Sequence, residues 1–330
     1  MKIAIISITE QGQLISDKLY SNLENNPLIL HVQQYHKNVK ETIKNIFNEY
    51  DCIIGIMASG IMIRSIAPYV NSKLSDPAIL LVDDNGNFVI SLLSGHFGGA
   101  NNLTHKIADI IDATPVITTS TDVNNKIGID SIAKHYYCSL ENTGNIKFIN
   151  RALVDDRKVE LYLPSKFSFI LTDSVRYSYN IHIDNTLEMI VSEIDGHKVI
   201  LKPRRLVMGI GARKNIATSK VEHAVLEACK ILEVPVDRID LFATADVKAK
   251  EQGILDVMSK YDKILEIVEM SDIKNYENND ISKSDFVMKQ FGVKGVCEPA
   301  CLIVNGDNSE LIFKKTAYNG VTIAVSVNNN

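Results

Sequence analysis

The residues with the strongest claim to chemistry lie between Val89 and Asp122. An apolar run, Val89–Leu93, stops abruptly at Ser94-Gly95-His96, and Phe97, Gly98 and Gly99 follow. Asn101 and Thr104 then open a segment with Leu103, Ile107, Ile110 and Ile111 at helical spacing. A strand therefore feeds a glycine-rich turn, and the turn feeds a helix. Such a junction presents backbone N–H groups at the positive end of a helix, which favours an anionic ligand group. The glycines let a ligand approach the backbone closely. His96 is the side chain of this turn that changes charge near neutral pH. It is a candidate functional group of the turn, or a plain hydrogen-bonded structural residue. The turn lacks the Gly-x-Ser-x-Gly elbow, so Ser94 is not read as a catalytic serine.

A second candidate is Gly209-Ile210-Gly211-Ala212-Arg213-Lys214. The spacing predicts a strand running into a Gly-x-Gly turn. The third glycine of a dinucleotide fingerprint is absent, since Lys214 stands there. What remains is an N–H cradle for carboxylate or phosphate assisted by Arg213 and Lys214, or a tight turn with two solvated cations. Arg64 is the charged residue of an otherwise apolar segment, Ile61, Met62, Ile63 and Ile66. It must reach solvent or pair, and its fork matches a carboxylate. Asp83 and Asp84 either initiate the Asn85-Gly86 turn or serve the site. Glu298 is a buried carboxylate or a strand-start residue. No HExxH, P-loop or His/Cys ligand pattern is present, and Cys297 and Cys301 have Pro299 between them. No protein-held metal is expected.

The elements that must position these residues follow from periodicity. Strands are predicted at Lys2–Ile8, Leu28–Val32, Cys52–Met57, Ala78–Val82, Phe88–Leu93 and Thr114–Thr118, with helices between them. Asn85-Gly86 signals one antiparallel hairpin. The result is a mostly parallel, doubly wound N-terminal sheet over residues 1–130. Residues 131–203 read as a small α+β segment: helical spacing to Leu153, a strand at Val159–Leu163 and a hairpin about Asp195-Gly196. Residues 204–330 read as a C-terminal α/β domain. Its helix is capped by Thr218 or Ser219, a further helix spans Ser282–Phe291, and Cys301–Val304 is one of its strands. In open α/β sheets ligands bind beyond the carboxyl ends of strands. The turns at Gly60 and His96 both follow strands, and Thr119-Ser120-Thr121-Asp122 follows another.

Bulk properties narrow the classes. The chain has 330 residues, with 45% hydrophobic and 23% charged, as in a globular protein of two or three domains. A net charge of −5 and the lack of tryptophan argue against nucleic acid as the main partner. Anions must therefore be held by locally placed cations. The N-terminus lacks a signal h-region and no apolar run reaches membrane-spanning length. Five widely spaced cysteines point to free thiols in a reducing cytoplasm.

The ordered run Gly60, Arg64, Ala67-Pro68, Asp76-Pro77, Asp83, Ser91–His96, Gly98–Asn101 and Pro115–Thr119 resembles the cobalt-precorrin-5A hydrolases of cobalamin biosynthesis. Gly209–Gly211, Arg213, Asp246, Lys248, Glu251, Val296–Glu298 and Lys314-Lys315 continue the likeness through the C-terminal half. Ala212 departs from it, because the family usually carries Cys there. The resemblance implies an enzyme that opens a δ-lactone on a ring-contracted cobalt tetrapyrrole and releases acetaldehyde. The cobalt would belong to the substrate, with no other cofactor, and other enzymes of the cobalamin pathway are candidate partners. The candidate catalytic residues are then His96, Asp83 and Glu298, with His96 as general base or, alternatively, as an axial ligand of the substrate cobalt or a carboxylate partner. The candidate substrate-binding residues are Gly60, Arg64, Ser94, Gly95, Gly98, Gly99, Asn101, Thr118, Thr119, Gly209, Gly211, Arg213, Lys214 and Lys248. The site is expected to combine the His96 and Arg213 turns. The alternatives are a non-catalytic tetrapyrrole carrier and a nucleotide-binding oxidoreductase.

Overall fold

Alternate residues of the first strand serve two different cores, and this organises the N-terminal half. The computed structural model describes residues 1–329 apart from 279–280, 283–287, 289–291 and 294. Ile3 and Ile5 pack with Leu19, Leu23, Leu103 and Ile107, whereas Ala4 and Ile6 pack with Ile43, Phe47, Met62 and Ile66. Successive strand side chains point to opposite faces, so a strand apolar at every position needs helices on both. They are α1 (Glu10–Leu23), α2 (Val39–Ile46), α3 (Ser59–Ile66) and α4 (Ala100–Ile111). Residues of α1 and α4 fill one core, and residues of α2 and α3 fill the other.

The sheet holds β1 (Lys2–Ser7), β2 (His31–His36), β3 (Cys52–Ile56), β4 (Ala78–Val82), β5 (Phe88–Leu93) and β6 (Thr114–Val116) in the order β2-β1-β3-β4-β5-β6. Strands β1 to β4 are parallel, β5 runs antiparallel to β4, and β6 is parallel to β5. The second strand begins at His31, not Leu28, because Leu28 and Ile29 donate to Asn26 and complete a turn.

A second sheet follows: β7 (Cys138–Glu141), β8 (Val159–Leu163), β9 (Tyr179–Ile183), β10 (Ile190–Ile194) and β11 (His197–Pro203), ordered β7-β11-β10-β8-β9. The helices here are α5 (Ser120–Val123), α6 (Ile129–His135), α7 (Ile146–Val154) and α8 (Asp173–Ser178). The helical spacing expected to run on to Leu153 is broken into α6, β7 and α7. Tyr137 and Asn142 sit at φ +55° and +57°, which ends one element and starts the next. The hairpin at Asp195-Gly196 forms between β10 and β11. Strand β9 and helix α8 carry no sequence pattern that announced them.

The chain divides into two compact units, Met1–Pro203 and Arg204–Asn330. The second unit has β12 (Leu206–Ala212), β13 (Leu241–Ala245), β14 (Leu265–Val268), β15 (Ser309–Tyr318) and β16 (Val321–Asn328), ordered β14-β13-β12-β16-β15. Its helices include α9 (Thr218–Leu232), α10 (Gln252–Lys260), α11 (Met270–Asn275) and α12 (Cys297–Asn305). The expected strand at Cys301–Val304 is part of α12, where Pro299 occupies the first turn, a place that needs no N–H partner. The N-cap of α9 is Ala217, because the Thr218 hydroxyl is given to Asp256 instead. The helix expected over Ser282–Phe291 falls largely outside the described residues. Among the described residues, no helix is long and apolar enough to cross a membrane.

Candidate functional site

Reversal of β5 decides which residues can meet. Ile56, at the carboxyl end of β3, pairs with Val82, and Val82 pairs with Val89 at the start of β5. Leu93, at the end of β5, pairs with Ile79 at the other end of β4. The Gly60/Arg64 turn and the His96 turn therefore leave opposite strand ends of the sheet, separated by about 15 Å of strand. Strand β6 runs with β5, so Thr119–Asp122 emerges on the His96 side. Arg64 is exposed, with its guanidinium over Gly60, and lines a second concavity with Asn38, Lys40 and Glu41. The structure does not bring Gly60 and Arg64 to His96.

His96 lies between two carboxylates. Its Nε2 is 2.8 Å from Asp122 Oδ2 and its Nδ1 is 3.3 Å from Asp130 Oδ2. Thr121 Oγ1 is also 2.8 Å from Nε2. Asp130, in the first turn of α6, is 2% exposed and accepts from Asn150 Nδ2 at 2.9 Å. Burial disfavours the imidazolium, but hydrogen bonds and charges from both aspartates outweigh it and raise the pKa of His96 to about 9. Burial likewise works against ionised Asp122 and Asp130, and the His96 cation holds both carboxyls below their ordinary range. The cluster at neutral pH is one imidazolium between two carboxylates. Both ring nitrogens face carboxylates, an arrangement that favours the protonated ring over a general base or a cobalt ligand.

The neighbouring residues build this arrangement. Asn101 is buried; its Nδ2 donates to Thr119 Oγ1 at 3.0 Å and to Asp122 Oδ2 at 3.1 Å, while Ser91 Oγ donates to its Oδ1 at 2.7 Å. A side chain on Gly95 would strike Asn101 Oδ1 at 2.6 Å, and one on Gly98 would strike Ser94 Cβ at 2.4 Å. These glycines are thus required by the tightness of the turn itself. The N–H groups of Gly99, Ala100 and Asn101 donate to the carbonyls of His96, Ser94 and Gly95. Most of the expected anion cradle is consumed internally. Ser94 adopts φ +58°, is 8% exposed, and its buried Oγ has no hydrogen-bond partner among the described residues.

A cavity of about 480 Å³ opens beside this cluster. Ser94, Gly95, His96 and Thr119 line it, as do Lys73, Asp130, Lys147, Asn150 and Arg151, which sequence reasoning did not single out. Asp122 had one signal, its place in the polar cluster after β6. Asp130, Asn150 and the three cations had none, because their relevance comes from α6, α7 and the loop before β4 folding over the turn. Thr118 is exposed and outside the lining.

Asp83 accepts from the N–H of Asn85 and Phe88 and from Asn87 Nδ2, so it builds the hairpin turn. Glu298 is fully buried on α12 and accepts from Ser282 N, Ser282 Oγ and Lys315 N at 2.8–2.9 Å. It anchors the irregular stretch of β15 about Lys315. Gly209 and Gly211 are ladder positions of β12, not a turn. A Cβ at Gly209 would lie 1.9 Å from the carbonyl oxygen of Cys297, and one at Gly211 would lie 2.5 Å from Thr322 Oγ1. The glycines admit α12 and β16 at close range. Arg213 and Lys214 follow on the exposed turn. Lys248 is largely buried, 3.9 Å from Glu251, which accepts the Ile216 N–H at 2.9 Å.

Residues 41–122 match the model of the cobalamin synthesis G N-terminal family, and residues 206–326 match that of its C-terminus. A protein of Methanocaldococcus jannaschii named probable cobalt-precorrin-5A hydrolase is 34% identical over the full length of both chains. A cobalt-precorrin-5A hydrolase of Priestia megaterium is 30% identical over 90% of this chain and 83% of its own. One of Salmonella typhimurium is 31% identical over 87% and 84%. A solved cobalamin biosynthesis protein G homologue of Sulfolobus solfataricus is 28% identical over 99% of this chain and 97% of its own, at a TM-score of 0.60. The chain belongs to the cobalamin synthesis G family.

Proposed function

We propose that the protein is a cobalt-precorrin-5A hydrolase acting on a cobalt tetrapyrrole. Water opens the δ-lactone to a carboxylate and a hydroxyl. The hydroxyl then gives up its proton to water as its oxygen becomes the aldehyde carbonyl, the carbon–carbon bond to the ring breaks with its electron pair passing to the macrocycle, and the two-carbon fragment leaves as acetaldehyde. The observation that carries this reading is the likeness to hydrolases through both halves of the chain. The same likeness weighs against the carrier alternative. Cobalt enters as part of the substrate.

Within the site, His96 acts as a cation and an acid. An imidazolium beside the lactone stabilises the oxyanion that develops on the carbonyl. With a pKa of about 9 it is also acidic enough to protonate an alkoxide leaving group. Asp122 is the candidate group for taking up the proton of water. Its side chain is 37% exposed, and the bonds from His96, Asn101 and Thr121 all converge on Oδ2.

Acetaldehyde release from cobalt-precorrin-5A by the purified protein tests the activity, and absence of release sinks it. The pH profile tests the role. A cationic His96 places the loss of kcat on the alkaline side, near pH 9. A general-base His96 would place it on the acid side.

A further inference from the structure

The cavity beside His96 gathers cations from two places far apart in the sequence, the loop before β4 and helix α7. On α7, Lys147, Asn150, Arg151 and Val154 stand at spacings of three and four and share one face, and that face lines the cavity. The opposite face of α7, Ile146, Ile149, Ala152 and Leu153, is buried. Lys73 joins them from the loop before β4. Arg151 is held only by an exposed contact with Asp155 at 3.6 Å, and among the described residues Lys73 and Lys147 have no carboxylate within ion-pair distance. In the deeper cluster one imidazolium faces two carboxylates, Asp122 and Asp130, and Asp130 also feels the charge of Lys73. With His96 counted, four cations stand against Asp122, Asp130 and the exposed Asp155, so positive charge is in excess at the cavity on a chain whose net charge is −5. Ser94, whose buried Oγ has no partner, lines the same cavity.

We infer that Lys73, Lys147 and Arg151 form a clamp for the peripheral carboxylates of a tetrapyrrole, with α7 supplying most of it. This rests on the cobalt-precorrin reading for the identity of the ligand, and it gives the segment of residues 131–203 a part in binding. Charges at the mouth of a cavity of this kind attract a polyanion and fix its orientation without entering the reaction. The clamp residues thus act on substrate binding, whereas the His96 cluster acts on turnover.

The test uses the intact chain and two porphyrins of like size, one octacarboxylate (uroporphyrin) and one tetracationic, followed by their own absorbance and fluorescence. The protein is expected to bind the octacarboxylate, more weakly as salt rises, and to ignore the cation. Each of Lys73→Gln, Lys147→Gln and Arg151→Gln raises Kd by about threefold to fivefold, as exposed charge pairs do, and the triple variant by about fiftyfold. Lys18→Gln, on α1, leaves Kd unchanged. These side chains are exposed, and circular dichroism checks that the variants remain folded. A triple variant binding within about twofold of the parent, or a parent binding neither porphyrin or both equally, overturns the clamp. With authentic substrate the triple variant should raise KM while kcat is retained. A parent that binds the octacarboxylate selectively but releases no acetaldehyde would instead sink the hydrolase reading and leave the clamp standing.

Discussion

His96 Nδ1 lies 3.3 Å from Oδ2 of Asp130, a carboxylate 2% exposed to solvent. A buried charge of this kind persists only when it is paired and hydrogen-bonded. Asp130 therefore depends on the His96 cation as much as His96 depends on it. His96→Ala leaves Asp130 with Asn150 as its remaining side-chain donor, and destabilisation of about 3 kcal/mol is expected. In the double variant with Asp130→Asn most of that loss should return. Urea unfolding of the four proteins gives the coupling energy, and additive effects would show that the pair is not linked.

The same pair sets a pH dependence of stability. The folded-state pKa of His96 is raised from 6.5 to about 9, so its contribution is fully present below pH 6.5 and is lost as pH rises through 9. The aspartates are shifted downward, so theirs is present above the ordinary carboxyl range and is lost on further acidification. Stability should fall between pH 6.5 and 9 in the parent, and this slope should vanish in His96→Ala. Unfolding midpoints across that window measure it. An equally steep slope in the variant removes His96 as its source.

Ser94 holds a left-handed backbone at φ +58° with a buried, unpartnered hydroxyl. Both features cost stability, and glycine removes both. Ser94→Gly is expected to raise stability by about 1 kcal/mol, with turnover followed in parallel because the residue lines the cavity. Thermal unfolding with parallel kinetics checks this. A destabilised variant would mean that the turn needs the serine for its shape.

Gly209 predicts a different defect. Its added Cβ would sit 1.9 Å from a backbone oxygen of α12, which cannot yield as a side chain can. Gly209→Ala should destabilise the second unit by more than about 3 kcal/mol, at the severe end for overpacking. Gly196→Ala, where the added Cβ meets nothing within 4 Å, provides the contrast at a turn with φ +78°, where the cost is backbone strain alone. Equal unfolding midpoints for Gly209→Ala and the parent would contradict the packing role.

Local pattern carried a large part of the architecture. The apolar runs of β1, β3 and β4, the periodicity of α1, α2, α4 and α9, and the Asn85-Gly86 hairpin are interactions between near neighbours in the chain, and their signals survive in the string of residues. The same is true of the strand–turn–helix junction at His96. The likeness to the family was legible for the same reason, because its motifs are short and contiguous.

What the string could not contain is the meaning of β5's reversal. One antiparallel step sends the His96 turn and the Arg64 turn to opposite ends of the strands, although both follow a strand's carboxyl end. It also could not reveal that Gly209 and Gly211 serve close packing, since a glycine needed for a turn and one needed for a helix contact are the same letter. Most of all, the chemistry of His96 was undecided by sequence. An isolated imidazole near neutral pH is a base. Tertiary structure alone brings Asp122 and Asp130 to its two nitrogens and makes it a cation, because electrostatic environment is set by distance in space and not by distance along the chain.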